Sequence, residues 1–264
     1  MSHQRRWTAP ALFVAVTLAL AGGMIYQQQR LNTQQAELQT EPHTLLPADI
    51  KADLTRIPLA AWDRARTDDI RPLAITTDSS MPPQPTVLYI GAEYCPYCAA
   101  MKWALVTALN RFGTFNGLAL SLSSAHDIFP LTPTLALAHA RYESPYVTAQ
   151  TIETEGKAPG QALPLTPIQV AALHRLDPSG AIPFLLIGNR YLLIGSPYSP
   201  AILHGANWHI IAAQLFTATT PTARIILGAG NEISLAICLS NGMRPTGVCR
   251  SDGVQRAEAV IAAR

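Results

Sequence analysis

The chain has 264 residues, a net charge of +2, 14% charged residues and 21 prolines. This length suits one elaborated domain with an appendage, and the composition is that of a folded, apolar, loop-rich domain rather than a disordered chain. The small net charge and the lack of a basic stripe with interleaved aromatic residues argue against nucleic acid as a partner.

Residues 1–26 are predicted to be an N-terminal membrane anchor or signal segment. Arg5 and Arg6 precede an uncharged run over residues 10–26, which is near the shortest length that spans a bilayer as a helix. The arginines favour a single-pass protein of the cell membrane with its C-terminal domain outside the cytoplasm. A cleaved signal peptide is the alternative, because residues 19–21, Ala-Leu-Ala, resemble a cleavage site.

Residues 27–45 are predicted to be a polar linker, and residues 46–264 to form the globular domain. The linker is rich in glutamine and ends among prolines, as a tether leaving a membrane would. Within the domain, residues 49–66 have helical character interrupted by Pro58, and residues 86–90 form an apolar, β-prone run.

Two cysteines, Cys95 and Cys98, follow that run directly and precede a predicted helix over residues 98–112. A strand that leads into C-x-x-C at the start of a helix is typical of a redox centre. The amide groups and the macrodipole of a helix N-terminus stabilise a thiolate, which is the form of cysteine that attacks disulfides. Pro96 suits this position, because the first helical turn does not need its missing N–H.

Two other interpretations of the C-x-x-C pair are open at this point. It could be half of a zinc site that Cys238 and Cys249 complete, although their spacing is not that of a second C-x-x-C. It could also be a chance pair of buried cysteines. We expect no metal and no cofactor.

The remaining elements are predicted from alternation, capping residues and turn residues. Thr166 and Pro167 form a good N-cap and first position of a helix that ends near residue 176. Gly188 and Asn189 join two apolar runs into a β-hairpin. The other predicted elements are strands over 118–123, 134–140 and 146–152, and helices over 207–217 and 221–239.

The order of strand, C-P-Y-C, helix, Ile182-Pro183, hairpin and helix resembles the thioredoxin superfamily. The resemblance implies an α/β, thioredoxin-like fold with an insertion between the C-x-x-C helix and the cis-proline strand. The N-terminal transmembrane helix predicted above would precede this fold. It also implies that Pro183 follows a cis peptide bond and faces the redox pair, and that the backbone of Ile182 pairs with a bound peptide. The insertion has the place of that in exported disulfide oxidases, but residues 118–152 look partly β rather than helical.

The run over residues 88–100, with residues 103–105 and 111–115 after it, is more specific. It closely resembles an uncharacterised family of membrane-anchored thioredoxin-like proteins, known as a domain of unknown function. This resemblance covers about residues 46–250, including the late cysteine pair. It implies the fold and leaves the substrate open.

The function that we expect is thiol–disulfide exchange with protein thiols or disulfides, with a membrane protein as a further redox partner. Cys95 would be the attacking thiolate and Cys98 the resolving thiol. By resemblance, Pro183 would shape the substrate groove. Tyr97 would line that groove and tune the thiolate.

Three further residues complete the expected site. Tyr94 stands where thioredoxins carry tryptophan, and Ile182 would present its backbone to the substrate. Glu93 is a candidate, by proximity alone, for the buried acid that assists proton transfer in thioredoxins.

Cys238 and Cys249 are expected to form a structural disulfide that pins the last long helix to the tail. A redox relay to the first pair is the alternative. The alternative for the whole chain is a non-catalytic binding module, or a protein that delivers metal or haem, in which the C-x-x-C pair serves as a staple or ligand.

Overall fold

The computed structural model describes residues 22, 23, 25, 44–76, 86–155 and 164–262. The chain divides into two compact units, residues 1–41 and 42–264. In the first unit the described residues are Gly22, Gly23 and Ile25, all helical. The rest of the predicted anchor, the alternative cleavage site and residues 27–43 of the predicted linker lie outside the described residues.

Eight α-helices are present in the described part of the second unit, together with a short 3-10 helix at Pro200–Leu203. The α-helices are α1 Ala48–Thr55, α2 Leu59–Trp62, α3 Pro96–Leu109, α4 Pro167–Leu176, α5 Trp208–Thr217, α6 Pro221–Ser240, α7 Thr246–Cys249 and α8 Asp252–Ala262. The strands are β1 Ala74–Ile75, β2 Val87–Gly91, β3 Thr114–Asn116, β4 Ala119–Leu122, β5 Pro133–Ala136, β6 Arg141–Glu143, β7 Ala149–Glu153, β8 Phe184–Ile187 and β9 Tyr191–Ile194.

A mixed five-stranded sheet has the strand order β1-β9-β8-β2-β7. Strand β2 pairs with β7 in parallel and with β8 antiparallel, and β8 and β9 form the predicted hairpin. Every residue of β2 is buried, as expected of a strand that is covered on both faces. The described part of the chain is therefore a mixed α/β protein in which β2, an interior strand next to the edge strand β7, leads into the C-x-x-C motif.

Alternate side chains of β2 belong to two apolar clusters, one on each face of the sheet. Val87 and Tyr89 pack into the larger cluster, which also contains residues of α3 and α6. Leu88 and Ile90 pack into the smaller cluster, which contains residues of α4. This period of two is the geometry of a strand, and it places α3 and α4 on opposite faces.

Helix α6 is the one helix within the described ranges that is long and apolar enough to cross a membrane. Of its most apolar window, 78% is buried inside the domain. Burial of this extent identifies α6 as a core helix, which packs most extensively against α3 and α8.

The capping prediction for α4 is confirmed. Thr166 is the N-cap, Pro167 occupies the first turn, and a reciprocal capping box joins Thr166 to Gln169. Pro58 separates α1 from α2, also as predicted.

The predicted strand over residues 134–140 is too long. Strand β5 ends at Ala136, because the next two backbone N–H groups, those of Leu137 and Ala138, donate to the carboxylate of Glu153 instead of to a neighbouring strand. This shortening bends the chain into a turn before β6.

The predicted strand over residues 146–152 begins late, at Ala149. The N–H groups of Tyr146 and Val147 donate to Oγ of Ser144, so a side-chain turn replaces the first part of the strand. The predicted β character of residues 118–152 is otherwise confirmed, with β4 paired to β5 and β7 in the main sheet. The pairing of β3 with β6 was not predicted.

Candidate redox site

Cys95 and Cys98 lie at the junction of β2 and α3. Cys95 is the N-cap of α3, and its Sγ accepts a hydrogen bond from the backbone N–H of Cys98 at 3.2 Å. The Sγ of Cys98 accepts one from the backbone N–H of Ala92 at 3.5 Å. Both cysteines are free thiols, with Cys95 7% exposed and Cys98 fully buried. Solvent therefore reaches part of Cys95 and none of Cys98.

The two thiols differ strongly in acidity. The hydrogen bond with Cys98 lowers the pKa of Cys95 to about 7 against the opposing effect of burial, and the N–H groups of the first helical turn and the charge of Lys102 assist. Burial, followed by the hydrogen bond and the charge of Cys95, raises the pKa of Cys98 well above its usual value. At neutral pH the pair can therefore hold a thiolate at Cys95 while Cys98 keeps its proton.

A buried ion pair lies behind the cysteines. Lys102 follows Cys98 by one helical turn, and its Nζ is 2.6 Å from Oε1 of Glu153, with both side chains completely buried. The other carboxylate oxygen of Glu153 accepts the N–H groups of Leu137 and Ala138 at 2.8 and 3.0 Å. The pair is thus well satisfied by hydrogen bonds, as a buried charge requires.

Sequence reasoning missed this ion pair, although a signal was present. Lys102 is the single charged residue in the otherwise apolar helix α3. Glu153 ends β7 directly opposite Gly91 in the parallel pairing with β2, which no local pattern reveals.

Tyr89 is a second feature that sequence reasoning missed. Its ring is fully buried in β2, and its hydroxyl forms no hydrogen bond of ordinary geometry in the part of the chain that the structure describes. A Cβ at Gly91 would overlap this hydroxyl and lie 3.1 Å from Sγ of Cys98. The hydroxyl and the sulfur therefore converge on the same side of Gly91, and only glycine leaves room there.

Ile182 lies at the site, and Pro183 follows it in the chain. Ile182 is half-buried and packs against the small cluster of Ala92, Cys95 and Cys98. The Ile182–Pro183 peptide bond is cis, and Pro183 is buried immediately before β8.

Two aromatic residues of the motif lie at the surface beside Cys95. Tyr97 is 40% exposed, and its ring makes an edge-to-face contact with Phe129 at a centroid distance of 5.8 Å. Tyr94 is partly exposed, and its carbonyl oxygen accepts the N–H of Ser124 at 2.7 Å. The loop between β4 and β5 therefore borders the motif. Pro96 is buried in the first turn of α3.

Glu93 is fully buried, as an acid inside the site would be. Its carboxylate accepts a hydrogen bond from the hydroxyl of Ser121 in β4. Its part in proton transfer stays a prediction.

A shallow groove of about 350 Å³ begins at Tyr97 and is lined by Arg71 and residues 195–199. Gly195 has a φ of +81°, and a Cβ there would be 2.9 Å from Nη2 of Arg71, so the guanidinium lies directly on this glycine. Among the described residues Arg71 has no carboxylate partner, and the buried Oγ of Ser196 has no hydrogen bond. A larger groove of about 610 Å³, between β1 and β9, contains no residue of the motif.

Cys238 and Cys249 form a disulfide between the C-terminal part of α6 and α7, with a Cα–Cα distance of 5.6 Å. Both are fully buried and belong to the main core, whereas the first pair belongs to a separate small cluster. The four-thiol zinc interpretation is therefore wrong for this structure, because two of its ligands are bonded to each other. No cluster of three potential metal ligands occurs within the described ranges.

Residues 74–172 match a family model described as Domain of unknown function (DUF929). The matched segment contains the C-x-x-C motif and the Lys102–Glu153 pair, and it ends before Ile182. The resemblance to a domain of unknown function therefore has support over a shorter stretch than residues 46–250. Searches of curated proteins and of solved structures found no match.

Proposed function

We propose that this protein is a membrane-anchored, extracytoplasmic thiol–disulfide oxidoreductase that acts on protein thiols or disulfides through Cys95 and Cys98. The observation that carries the proposal is the asymmetry of the pair. A slightly exposed thiol with a pKa lowered to about 7 lies beside a sealed thiol with a raised pKa. This is the distribution that a nucleophile and its resolving partner require.

The order and direction of the strands support a thioredoxin-like fold. The strand that carries the motif, β2, lies between a parallel strand, β7, and an antiparallel hairpin strand, β8. Ile182 and Pro183 precede that hairpin, and Ile182 packs against the small cluster that contains the two cysteines.

The proposed reaction consists of two exchanges. With a disulfide substrate, the Cys95 thiolate attacks one sulfur, the substrate S–S bond breaks, and a substrate thiolate leaves. Cys98 then loses its proton to that thiolate and attacks Sγ of Cys95, which releases the second substrate sulfur as a thiolate. The enzyme dithiol becomes a disulfide and gives two electrons to the substrate, and with a dithiol substrate the same steps run in reverse.

Lys102 supports both steps. Its charge lowers the pKa of Cys95 and of Cys98. Because the ammonium is held by Glu153 and both side chains are fully buried, its position is fixed before the reaction begins.

The groove that starts at Tyr97 supports a protein substrate. It joins the motif to the turn after β9, and the backbone of that turn is held by a 2.6 Å hydrogen bond from Gly195 N–H to Pro183 C=O. The guanidinium of Arg71, which has no carboxylate partner among the described residues, favours a substrate segment that carries a carboxylate close to its reacting cysteine.

An exported location is supported by two independent features. The uncharged run over residues 10–26 follows a basic flank. The Cys238–Cys249 disulfide is of a kind that persists outside the cytoplasm. A membrane protein that oxidises or reduces the Cys95–Cys98 pair completes the proposed cycle.

The test uses the full chain purified in detergent, with insulin reduction and refolding of a reduced protein as the two assays. Wild type should be active in at least one assay, Cys95→Ser inactive in both, and Cys98→Ser should accumulate a mixed disulfide through Cys95. Equal activity of wild type and Cys95→Ser would remove the proposal. Stoichiometric metal in protein purified without chelators, together with that result, would favour the metal-delivery alternative.

A further inference from the structure

Tyr89 carries a buried hydroxyl that the two exchanges described above do not use. It has no hydrogen-bond partner in the described ranges, although it lies within a fully buried strand. A buried hydroxyl without a partner destabilises the fold and calls for an explanation, and a catalytic role is one such explanation.

The position of the hydroxyl identifies that partner. Tyr89 and Gly91 are two residues apart in β2, so they face the same side of the sheet. A methyl group on Gly91 would collide with the hydroxyl and lie 3.1 Å from Sγ of Cys98. The phenol oxygen and the resolving sulfur therefore both lie next to Gly91, on the side where glycine has no side chain.

The ionisation of Tyr89 identifies its role as a donor. Burial, then the charges of Cys98, Glu153 and Cys95, and then a hydrogen-bonding interaction with Cys98, raise its pKa well above the ordinary value. The phenol is thus already near enough to interact with Cys98, although the two groups do not form a hydrogen bond of ordinary geometry. The phenol therefore keeps its proton at neutral pH and can donate a hydrogen bond but cannot act as a base.

We infer that Tyr89 donates a hydrogen bond to Sγ of Cys98 when that sulfur becomes a thiolate, and thereby accelerates its attack on the mixed disulfide. This inference rests on the proposed function. The Cys98 S–H bond breaks, the proton goes to the substrate thiolate released in the first exchange, and the phenol O–H bond stays intact. The N–H of Ala92 is the second donor, already directed at the same sulfur. Two fixed donors in a buried site stabilise a developing anion without reorganisation.

The experiment follows single turnovers of the full chain in detergent with a peptide disulfide. The first exchange is measured in the Cys98→Ser background, and the second from decay of the mixed disulfide when Cys98 is present. Tyr89→Phe should change the rate of the first exchange by less than about twofold. It should slow the second exchange by about tenfold or more, as expected for loss of a hydrogen bond to a charged group. In the Cys95→Ser background, Tyr89→Phe should also shift the thiolate absorbance of Cys98 to higher pH.

Tyr142→Phe is the matched control, because its hydroxyl donates to the carbonyl of Leu109 at 2.9 Å, at the other end of α3. It should alter neither rate. A second exchange at the wild-type rate in Tyr89→Phe, or equal slowing of both exchanges, would overturn the inference. Failure of Cys98→Ser to form any mixed disulfide would overturn the proposed function instead.

If Tyr89→Phe does not fold, replacement of Tyr89 by 3-fluorotyrosine gives the second measurement. Fluorine makes the phenol a stronger donor with little change in size, so the second exchange should become faster while the first stays unchanged. An unchanged second rate would overturn the inference as well.

Discussion

Nζ of Lys102 lies 2.6 Å from Oε1 of Glu153, and neither side chain is exposed to solvent. Replacing one member of such a pair leaves an uncompensated buried charge, which costs about 3–5 kcal/mol. We expect Lys102→Met to lower the free energy of unfolding by about this amount, and Lys102→Met with Glu153→Gln to recover much of it. Urea denaturation of the single and double variants measures the coupling. Additive costs would contradict the prediction.

The same double variant tests the electrostatics of the thiols. Because the cation of Lys102 lowers the pKa of Cys95, its removal should shift the pH profile of Cys95 alkylation to higher pH. In the wild type the rate should rise with pH, reach half of its maximum near pH 7, and level off above it, since only the thiolate reacts. The Cys98→Ala background is unsuitable for this measurement, because the hydrogen bond with the Cys98 side chain is the largest cause of the lowered pKa of Cys95. The assay therefore keeps Cys98 and counts labels by mass spectrometry.

The parts of the site that follow from local signals could be predicted from sequence. The apolar run of β2, the proline in the first turn of α3 and the position of the cysteines between them each fix the backbone over a few residues. The turn residues Gly188 and Asn189 fix the hairpin in the same way, both with positive φ. These signals suffice to place Cys95 at a helix N-terminus.

The chemical surroundings of Cys98 could not be predicted, because they depend on contacts between distant segments. Glu153 reaches Lys102 only through the parallel pairing of β7 with β2. The segment between α3 and β7 forms two small sheets of its own, so this pairing joins parts of the chain that are far apart in the sequence. Tyr89 looks like an ordinary strand residue in the sequence. Its proposed role depends on the absence of a side chain at Gly91, which leaves space for the Tyr89 hydroxyl near Cys98.

Arg71 tests the substrate preference of the groove. Arg71→Gln should lower kcat/KM for a peptide disulfide with an aspartate next to its cysteine by about tenfold, and for the matched asparagine peptide by less than about twofold. The difference should shrink as salt is added, because an exposed ion pair is screened. Arg190→Gln is the control, since its guanidinium lies over the ring of Tyr191 and outside the groove. Equal losses with both peptides would show that Arg71 does not read substrate charge.

The Cys238–Cys249 disulfide should act as a staple rather than a relay. The two cysteines are separated by 11 positions, and closing so short a ring stabilises the fold by about 3 kcal/mol in the chain-entropy account. Cys238→Ala with Cys249→Ala should lower the free energy of unfolding by about that amount and leave the reduction potential of Cys95–Cys98 unchanged. The potential should not change because both Cys238 and Cys249 are fully buried, so no thiolate can approach their disulfide in the folded protein.

Differential alkylation across a series of glutathione buffers tests whether this disulfide is a staple. Cys95–Cys98 should change from disulfide to dithiol, while Cys238–Cys249 stays oxidised. A second pair that changes state together with the first would identify it as a relay.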